Sequence, residues 1–481
     1  MNFVSLEYIL FFSVATSLFF WLPARNRLAL LLGAGILFYG SWRFAYLLIL
    51  AATALTDYLV ALGLQRTTSP AKKKALLAAS LAGNLGTLFT FKYSAFFAHT
   101  ATAITGVPLP TFELVLPVGI SFYTFQSMAY TIDVYRGLIQ AERSLVRFLA
   151  FVVFFPQLVA GPIERWKHMQ PQFLAVGSYD FDYQRVVLGL RRILWGAFKK
   201  VVISGMLAIY VDEVYNHTQR YRGPALFVAT LFFTFQIYCD FSGYTDIALG
   251  SAKILGFELT ENFRQPYFST SIREFWRRWH ISLSFWFRDY VYIPLGGARA
   301  GFGRQLGNLI AVFAVSGLWH GASWTFIVWG LVHGLVAAVE TVVDRVRGRP
   351  AERTKAGWAY TFLVASIAWI FFRAKTVADA LWVLAHMFDS GPASVGVFDP
   401  YRTAPSFGLF QKLPGFATAV AAVFIGSLIL VDRIESRGGF GQSLDRLSRP
   451  RRWVVYYALS ILLLFFAGAR IGVQDFIYFQ F

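Results

Sequence analysis

The sequence predicts an all-α, polytopic membrane protein, and three observations predict it. Of 481 residues, 57% are hydrophobic and only 15% charged, whereas soluble domains carry roughly a quarter charged residues. The apolar residues fall in runs long enough for a bilayer, which needs roughly twenty per helical span. The formal net charge of +18 is concentrated in short loops between those runs, at Arg25 and Arg27, Arg66 with Lys72 to Lys74, Arg136 to Arg147, Arg345 to Lys355, and Arg446 to Arg452. In a soluble chain such an excess would suggest nucleic acid as a partner. Here it is the positive-inside pattern of cytoplasmic loops, so the expected partner is the lipid bilayer and nucleic acid is not one.

Eleven apolar runs are candidate transmembrane helices: 6–22, 28–42, 44–64, 75–98, 114–132, 186–212, 224–250, 307–340, 357–373, 415–432 and 453–471. The first ends in Trp-Leu-Pro rather than a small-residue cleavage site, so it reads as a span and not as a signal peptide. Two further stretches, 147–163 and 268–300, are apolar but interrupted, one by Pro156, Gly161 and Pro162, the other by Pro294, Gly296 and Gly297. They read as re-entrant or buried helices. Irregular backbone at membrane depth survives only where protein or a wet cavity satisfies it, which places a functional chamber at the centre of the chain. Loop charge puts 23–27, 65–74 and 446–452 in the cytoplasm and both termini in the periplasm. That requires an even number of crossings, so the list of eleven is one too long or one too short. No internal repeat, linker or low-complexity tail divides the sequence, and residues 1–481 read as a single domain that includes the C-terminal aromatic motif 474–481.

The chemistry-bearing residues are few. Cys239 is the only cysteine, which excludes an intrachain disulfide and a cysteine metal cluster. Phosphate-binding-loop, dinucleotide and zinc-protease signatures are absent. Two histidines stand out, His280 in FWRRWHISLSFWFRDYVYIPLGG (275–297) and His320 in GLWHG (317–321). Imidazole titrates near neutral pH and is costly among hydrocarbon tails, so an intramembrane histidine points to function. His320, flanked by Trp319 and Gly321, suits a general base that must meet an acyl group. A lone histidine is more often a satisfied core residue; His280 adds weight because Glu274 to Trp279 precede it with carboxylate, guanidinium and indole groups. Arg273, Arg277, Arg278 and Arg288 could read phosphates bidentately or could equally be positive-inside anchors. The polar residues Asp133, Asp240, Ser242 and Asp246 should face the bundle interior, most simply as helix-packing glue. At the end of the chain, QDFIYFQF (474–481) is either an interfacial aromatic belt or a carrier of the Tyr478 hydroxyl.

Taken in order, GISFYTFQ…IDVYRG, FFPQLVAGPIERW, DFSGYTDIALG, ENFRQPY, the His280 motif, GLWHGASW and FIYFQF resemble the membrane-bound O-acyltransferase family, in its bacterial alginate O-acetylation branch, with teichoic-acid D-alanyl transfer proteins as cousins. The resemblance implies a bowl of tilted helices around a tunnel, His320 as the essential base and His280 as its polar partner, at a place where many eukaryotic relatives carry asparagine. It also implies substrate-binding roles for Trp319, Arg277, Arg278 and Asp240. Tyr478 matches an aromatic motif that in related systems sits on a separate small peptide and relays the acyl group. The implied enzyme resides in the bacterial inner membrane and takes acetyl from cytoplasmic acetyl-CoA, as a substrate rather than a bound cofactor, towards an exopolysaccharide or cell-wall polymer. A periplasmic or membrane-anchored acetyltransferase partner completes the transfer to the polysaccharide acceptor, and no metal is required. Two rival readings are transfer of another acyl group, such as D-alanine, and a non-enzymatic polysaccharide export subunit. An exporter should show repeated halves and a polar pathway; the sequence has neither.

Overall fold

Within hydrocarbon no water is present to satisfy backbone polar groups, so each apolar run closes its hydrogen bonds inside a helix. The computed structural model is accordingly helical, with no strand among the described residues, which are 1–111, 114–159, 161–299, 301–348, 354–390, 397–403, 411–435 and 444–468. Seven helices are long and apolar enough to cross a membrane: Phe44–Arg66, Tyr183–Asn216, Pro224–Leu255, Trp324–Arg347, Lys355–Arg373, Pro414–Glu435 and Arg449–Gly468. The other helices are shorter or more polar. The helices group into two units, residues 1–190 with 248–260, and residues 191–247 with 261–481.

The first unit holds α1 (Leu6–Trp21), α2 (Arg27–Gly40), α3 (Phe44–Arg66), α4 (Pro70–Leu88), α5 (Ser94–Thr105), α6 (Ile120–Tyr135), and the short α7 (Leu145–Val152), α8 (Phe155–Leu158) and α9 (Trp166–Leu174). Serines at positions 5, 69 and 144 cap α1, α4 and α7 by accepting a backbone N–H from the first turn, which explains why those runs start where they do. The buried Asp57 of α3 accepts hydrogen bonds from Ser80 (2.5 Å) and Asn84 (2.9 and 3.0 Å) of α4, a polar clasp between the two helices. The run expected to span 114–132 is shorter than its apolarity suggests. Residues 114–117 are not helical, and α6 starts only after Gly119, which has φ 72° and whose side-chain position lies 2.8 Å from the Leu158 carbonyl oxygen. Only glycine permits that approach. Almost every residue of α6 is buried, so its polar Ser, Thr and Gln side chains serve an interior helix. The GPIERW stretch is likewise a structural knot: the buried Glu164 accepts from the Thr260 backbone N–H (2.5 Å) and hydroxyl (3.1 Å) and pairs with His168 (2.8 Å).

The second unit begins within α10 (Tyr183–Ala197) and continues through α11 (Gly205–Asn216), most of α12 (Pro224–Leu255), α13 (Ile272–Trp276), α14 (Ile281–Phe287), α15 (Phe302–His320), α16 (Trp324–Arg347), α17 (Lys355–Arg373), α18 (Val377–His386), α19 (Asp399–Thr403), α20 (Pro414–Glu435) and α21 (Arg449–Gly468). Among its described residues, 268–299, the second interrupted stretch is broken into short pieces, none long enough to cross a bilayer. The run 307–340, expected as one span, is two helices. Gly321 leaves the helix in extended conformation, and the Ser323 hydroxyl caps α16 by accepting the Thr325 N–H. Of the two, α16 is among the seven helices long and apolar enough to cross a membrane and α15 is not.

Candidate functional site

The hairpin of α15 and α16 is set by small residues. A side chain at Gly317 would meet the Phe326 carbonyl oxygen at 2.2 Å, and one at Gly330 the Phe313 carbonyl oxygen at 2.2 Å, so the helices meet backbone to backbone, as glycine-rich membrane interfaces do. That contact holds His320, the last residue of α15 and 2% exposed, at the closed end of the hairpin. Its ring lies edge-on to Trp319 and Trp329, both with centroids 4.9 Å away, and 5.6 Å from Phe372 of α17.

His280 reaches the same place by different means. It stands between α13 and α14 with φ 42° and ψ 55°, a left-handed conformation that costs a side-chain-bearing residue of order 1–3 kcal/mol unless its surroundings enforce it. The enforcement comes from the segment 262–264. The buried Asn262 accepts the Ile281 N–H on its carbonyl (3.1 Å) and both the N–H (3.1 Å) and hydroxyl (2.7 Å) of Ser282 on Oδ1, while Arg264 N–H donates to the Arg278 carbonyl (2.9 Å). The His280 ring is fully buried. It lies 4.7 Å from Phe241, 5.9 Å from Trp319 and 6.3 Å from His320. Sequence reasoning therefore named three residues, His280, Trp319 and His320, that the fold brings together from positions forty apart.

The remaining candidates separate. Arg277 lines a cavity of about 510 Å³ with Arg273, Trp276, Arg288, Phe313 and Ser316. Ser316 is four residues before His320 on α15, hence about 6 Å away on the same helix face, and the cavity is of a size that takes a small-molecule substrate. Its lining is mostly apolar and carries three arginines, of which Arg273 pairs with Glu340 and Asp344 and Arg288 with Asp289. Arg278 turns instead to a second pocket and pairs with Glu274 at 2.6 Å. Asp240 is 4% exposed and ion-paired with Lys200, and it is the adjacent Phe241 that touches His280. Asp246 bridges Lys199 (2.6 Å) and Arg192 (2.9 Å), which fits the glue reading. Tyr478 lies outside the described residues. Among the described residues no group of three His, Cys, Asp or Glu side chains could hold a metal ion.

Sequence reasoning missed His333. It is fully buried on α16, one turn after Trp329, with ring centroids 5.2 Å from Trp276 and from Trp329. Neither ring nitrogen has a hydrogen-bond partner among the described residues, and the indole N–H groups of Trp276, Trp279 and Trp329 share that state. The i, i+4 spacing of Trp329 and His333 on one helix face was the available signal. Asn262 was also passed over, although it sits in the ENFRQPY stretch, because its work is done twenty residues away.

The fold thus sets a buried imidazole pair in an aromatic cage within a multi-pass membrane protein, with an arginine-lined cavity on the same face of α15. The chain belongs to the membrane-bound O-acyltransferase family, whose sequence pattern matches residues 138–377. It is similar to a probable alginate O-acetylase of Pseudomonas putida, 40% identical over 389 residues and 79% of each chain. A probable alginate O-acetylase of Pseudomonas syringae is 35% identical over 98% of each chain. The peptidoglycan O-acetyltransferase of Helicobacter pylori is 37% identical over 76% of this chain and 74% of its own.

Proposed function

We propose that this O-acyltransferase takes acetyl from acetyl-CoA on the cytoplasmic side of a bacterial inner membrane and passes it outward for O-acetylation of an exopolysaccharide, alginate-like, or of a cell-wall polymer. The observation that carries the reading is the burial of His280 and His320 with ring centroids 6.3 Å apart, both against Trp319, near a cavity lined by Arg277 and Arg288. Relatives named for acetylating alginate and peptidoglycan support acetyl as the group moved and a polymer hydroxyl as its destination. His320 takes the proton of the acceptor hydroxyl, whose oxygen forms a bond to the acetyl carbon. The carbon–sulfur bond then breaks, and the proton passes from His320 to the departing thiolate. His280 donates a hydrogen bond where negative charge develops on the carbonyl oxygen, and the closed aromatic cage excludes water that would hydrolyse the thioester. Arg277 and Arg288 hold the donor's phosphates. The Tyr478 hydroxyl is the first acceptor, and a periplasmic or membrane-anchored acetyltransferase carries the group from tyrosyl acetate to the polysaccharide.

The test is purified protein in proteoliposomes supplied with acetyl-CoA labelled in its acetyl group. Label should appear on the C-terminal peptide of the wild type and be lost in Tyr478→Phe, which keeps the ring and deletes the nucleophile. Equal labelling of Tyr478→Phe eliminates the relay. Labelling from a D-alanyl carrier thioester but not from acetyl-CoA would move the protein to the D-alanyl reading.

A further inference from the structure

The two neighbouring arginines Arg277 and Arg278 face different cavities, and the second cavity has no part in the chemistry above. It measures about 690 Å³ and is lined by Gln265, Phe268, Arg278, Lys355, Trp358, Ala359 and Arg433. Three of these seven residues are cations and none is a carboxylate; Glu274, which pairs with Arg278, stands outside the lining. The cations come from three separate elements: the turn after α13, the first residue of α17 and the end of α20. Three cations lining one cavity give it a positive field that favours an anion, and the amino end of α17 adds its own partial positive charge at Lys355.

Its depth is fixed by the spans themselves. Lys355 begins one candidate span and Arg433 lies near the end of another, so both span ends that meet at the pocket belong to one membrane boundary. It is the basic boundary, because the sequence before Lys355 carries Arg345, Arg347, Arg349 and Arg353, and Arg446 to Arg452 follow α20. Trp358, half-exposed on the first turn of α17, donates its indole N–H to the Tyr267 carbonyl (2.6 Å), the placement of an interfacial aromatic. From Trp358 to Phe372 is fourteen residues of α17, about 21 Å at 1.5 Å per residue, and Phe372 is the residue against His320. Trp358 on the pocket wall is thus far along α17 from His320, whereas Arg278 on the same wall stands two residues before His280.

We propose that the pocket binds the phosphate headgroup of an anionic phospholipid from the leaflet that the basic loops face. Basic pockets between transmembrane helices on that side are suited to such headgroups. The bound phosphate ties α17 and α20 to the turn that precedes His280, and the acyl chains run outward along the lipid-facing sides of the two spans. The inference does not rest on acetyl transfer, since it concerns binding at a second place.

The experiment compares the wild type with Lys355→Gln/Arg433→Gln, both exposed positions, in nanodiscs of phosphatidylcholine with or without phosphatidylglycerol. Retained phosphatidylglycerol is read by native mass spectrometry and unfolding temperature by scanning. Each Lys or Arg near an anionic lipid surface contributes about fivefold to binding, so the double variant should hold phosphatidylglycerol roughly 25-fold more weakly. Phosphatidylglycerol should raise the unfolding temperature of the wild type and not that of the variant, while both unfold alike in phosphatidylcholine. Lys355→Arg should keep the effect. Equal retention in wild type and double variant overturns the proposal. So does a variant that retains lipid normally but shows a raised KM for the thioester donor, because the phosphate held there is then the donor's.

Discussion

His320 and His280 end up with their rings side by side, yet the chain builds the two positions in opposite ways. His320 ends a regular helix, and its place follows from a local rule: glycines at 317 and 330 let α15 and α16 touch along their backbones. His280 sits in left-handed backbone between two short helices, held there by Asn262 and Arg264 from a segment with no helix of its own. The difference teaches that a buried residue on a helix end is kept by packing, whereas one in an irregular turn is kept by hydrogen bonds. Damage to the two should therefore look different, the first as loss of fold and the second as loss of rate.

The largest expected effect tests the packing side. Gly330→Val drives a side chain into the Phe313 carbonyl oxygen and should cost about 3 kcal/mol or more, visible as a lowered unfolding temperature or failure to accumulate in membranes. Gly307→Ala on α15, where nothing lies within 4 Å of the added carbon, should be neutral or mildly stabilising in the same assay. If both variants behave alike, the hairpin seam is not what places His320.

On the other side, His280→Ala should retain its fold and lose on the order of 10²- to 10³-fold in rate, the cost of one donor to a developing oxyanion. His280→Asn should keep more activity, because it still donates. Wild-type rates in both would make His280 a packing residue. Asn262→Ala removes the acceptor for Ser282 and frees the His280 backbone to relax. A displacement of about 1 Å costs on the order of 10²-fold, so kcat should fall by roughly ten- to a hundredfold with little change in KM. The smallest effect is expected at His333. Its nitrogens have no partner among the described residues, and Trp329 stands between its ring and His320. His333→Phe should thus leave stability equal or higher and change the rate by less than about tenfold; a greater loss would enlarge the pair to a triad.

How much of this was legible in the sequence follows the same division. The helical class, the interrupted centre and the pairing of His280, Trp319 and His320 were readable because they depend on composition, on proline and glycine as helix breakers, and on motifs with a clear chemical sense. The division of 307–340 was hidden because Gly321 to Ser323 is a break of three residues within continuous apolarity, and a span is recognised by apolarity. The late start of α6 was hidden because Gly119 matters only against Leu158, which is distant in sequence. For the same reason Asn262 and Phe241 were not singled out, and nothing in the Arg277-Arg278 dipeptide reveals that its members face separate cavities. Tyr478 lies outside the described residues, and its role rests on the proposal alone.

The central claim is that His320 is the base for acyl transfer, and the most direct measurement is single-turnover acetyl transfer by His320→Gln. Glutamine fills similar space at the end of α15 but cannot accept a proton, so the variant should insert and unfold like the wild type while the burst of transferred acetyl disappears. A burst of near-normal rate and size in a well-folded His320→Gln protein would contradict the account.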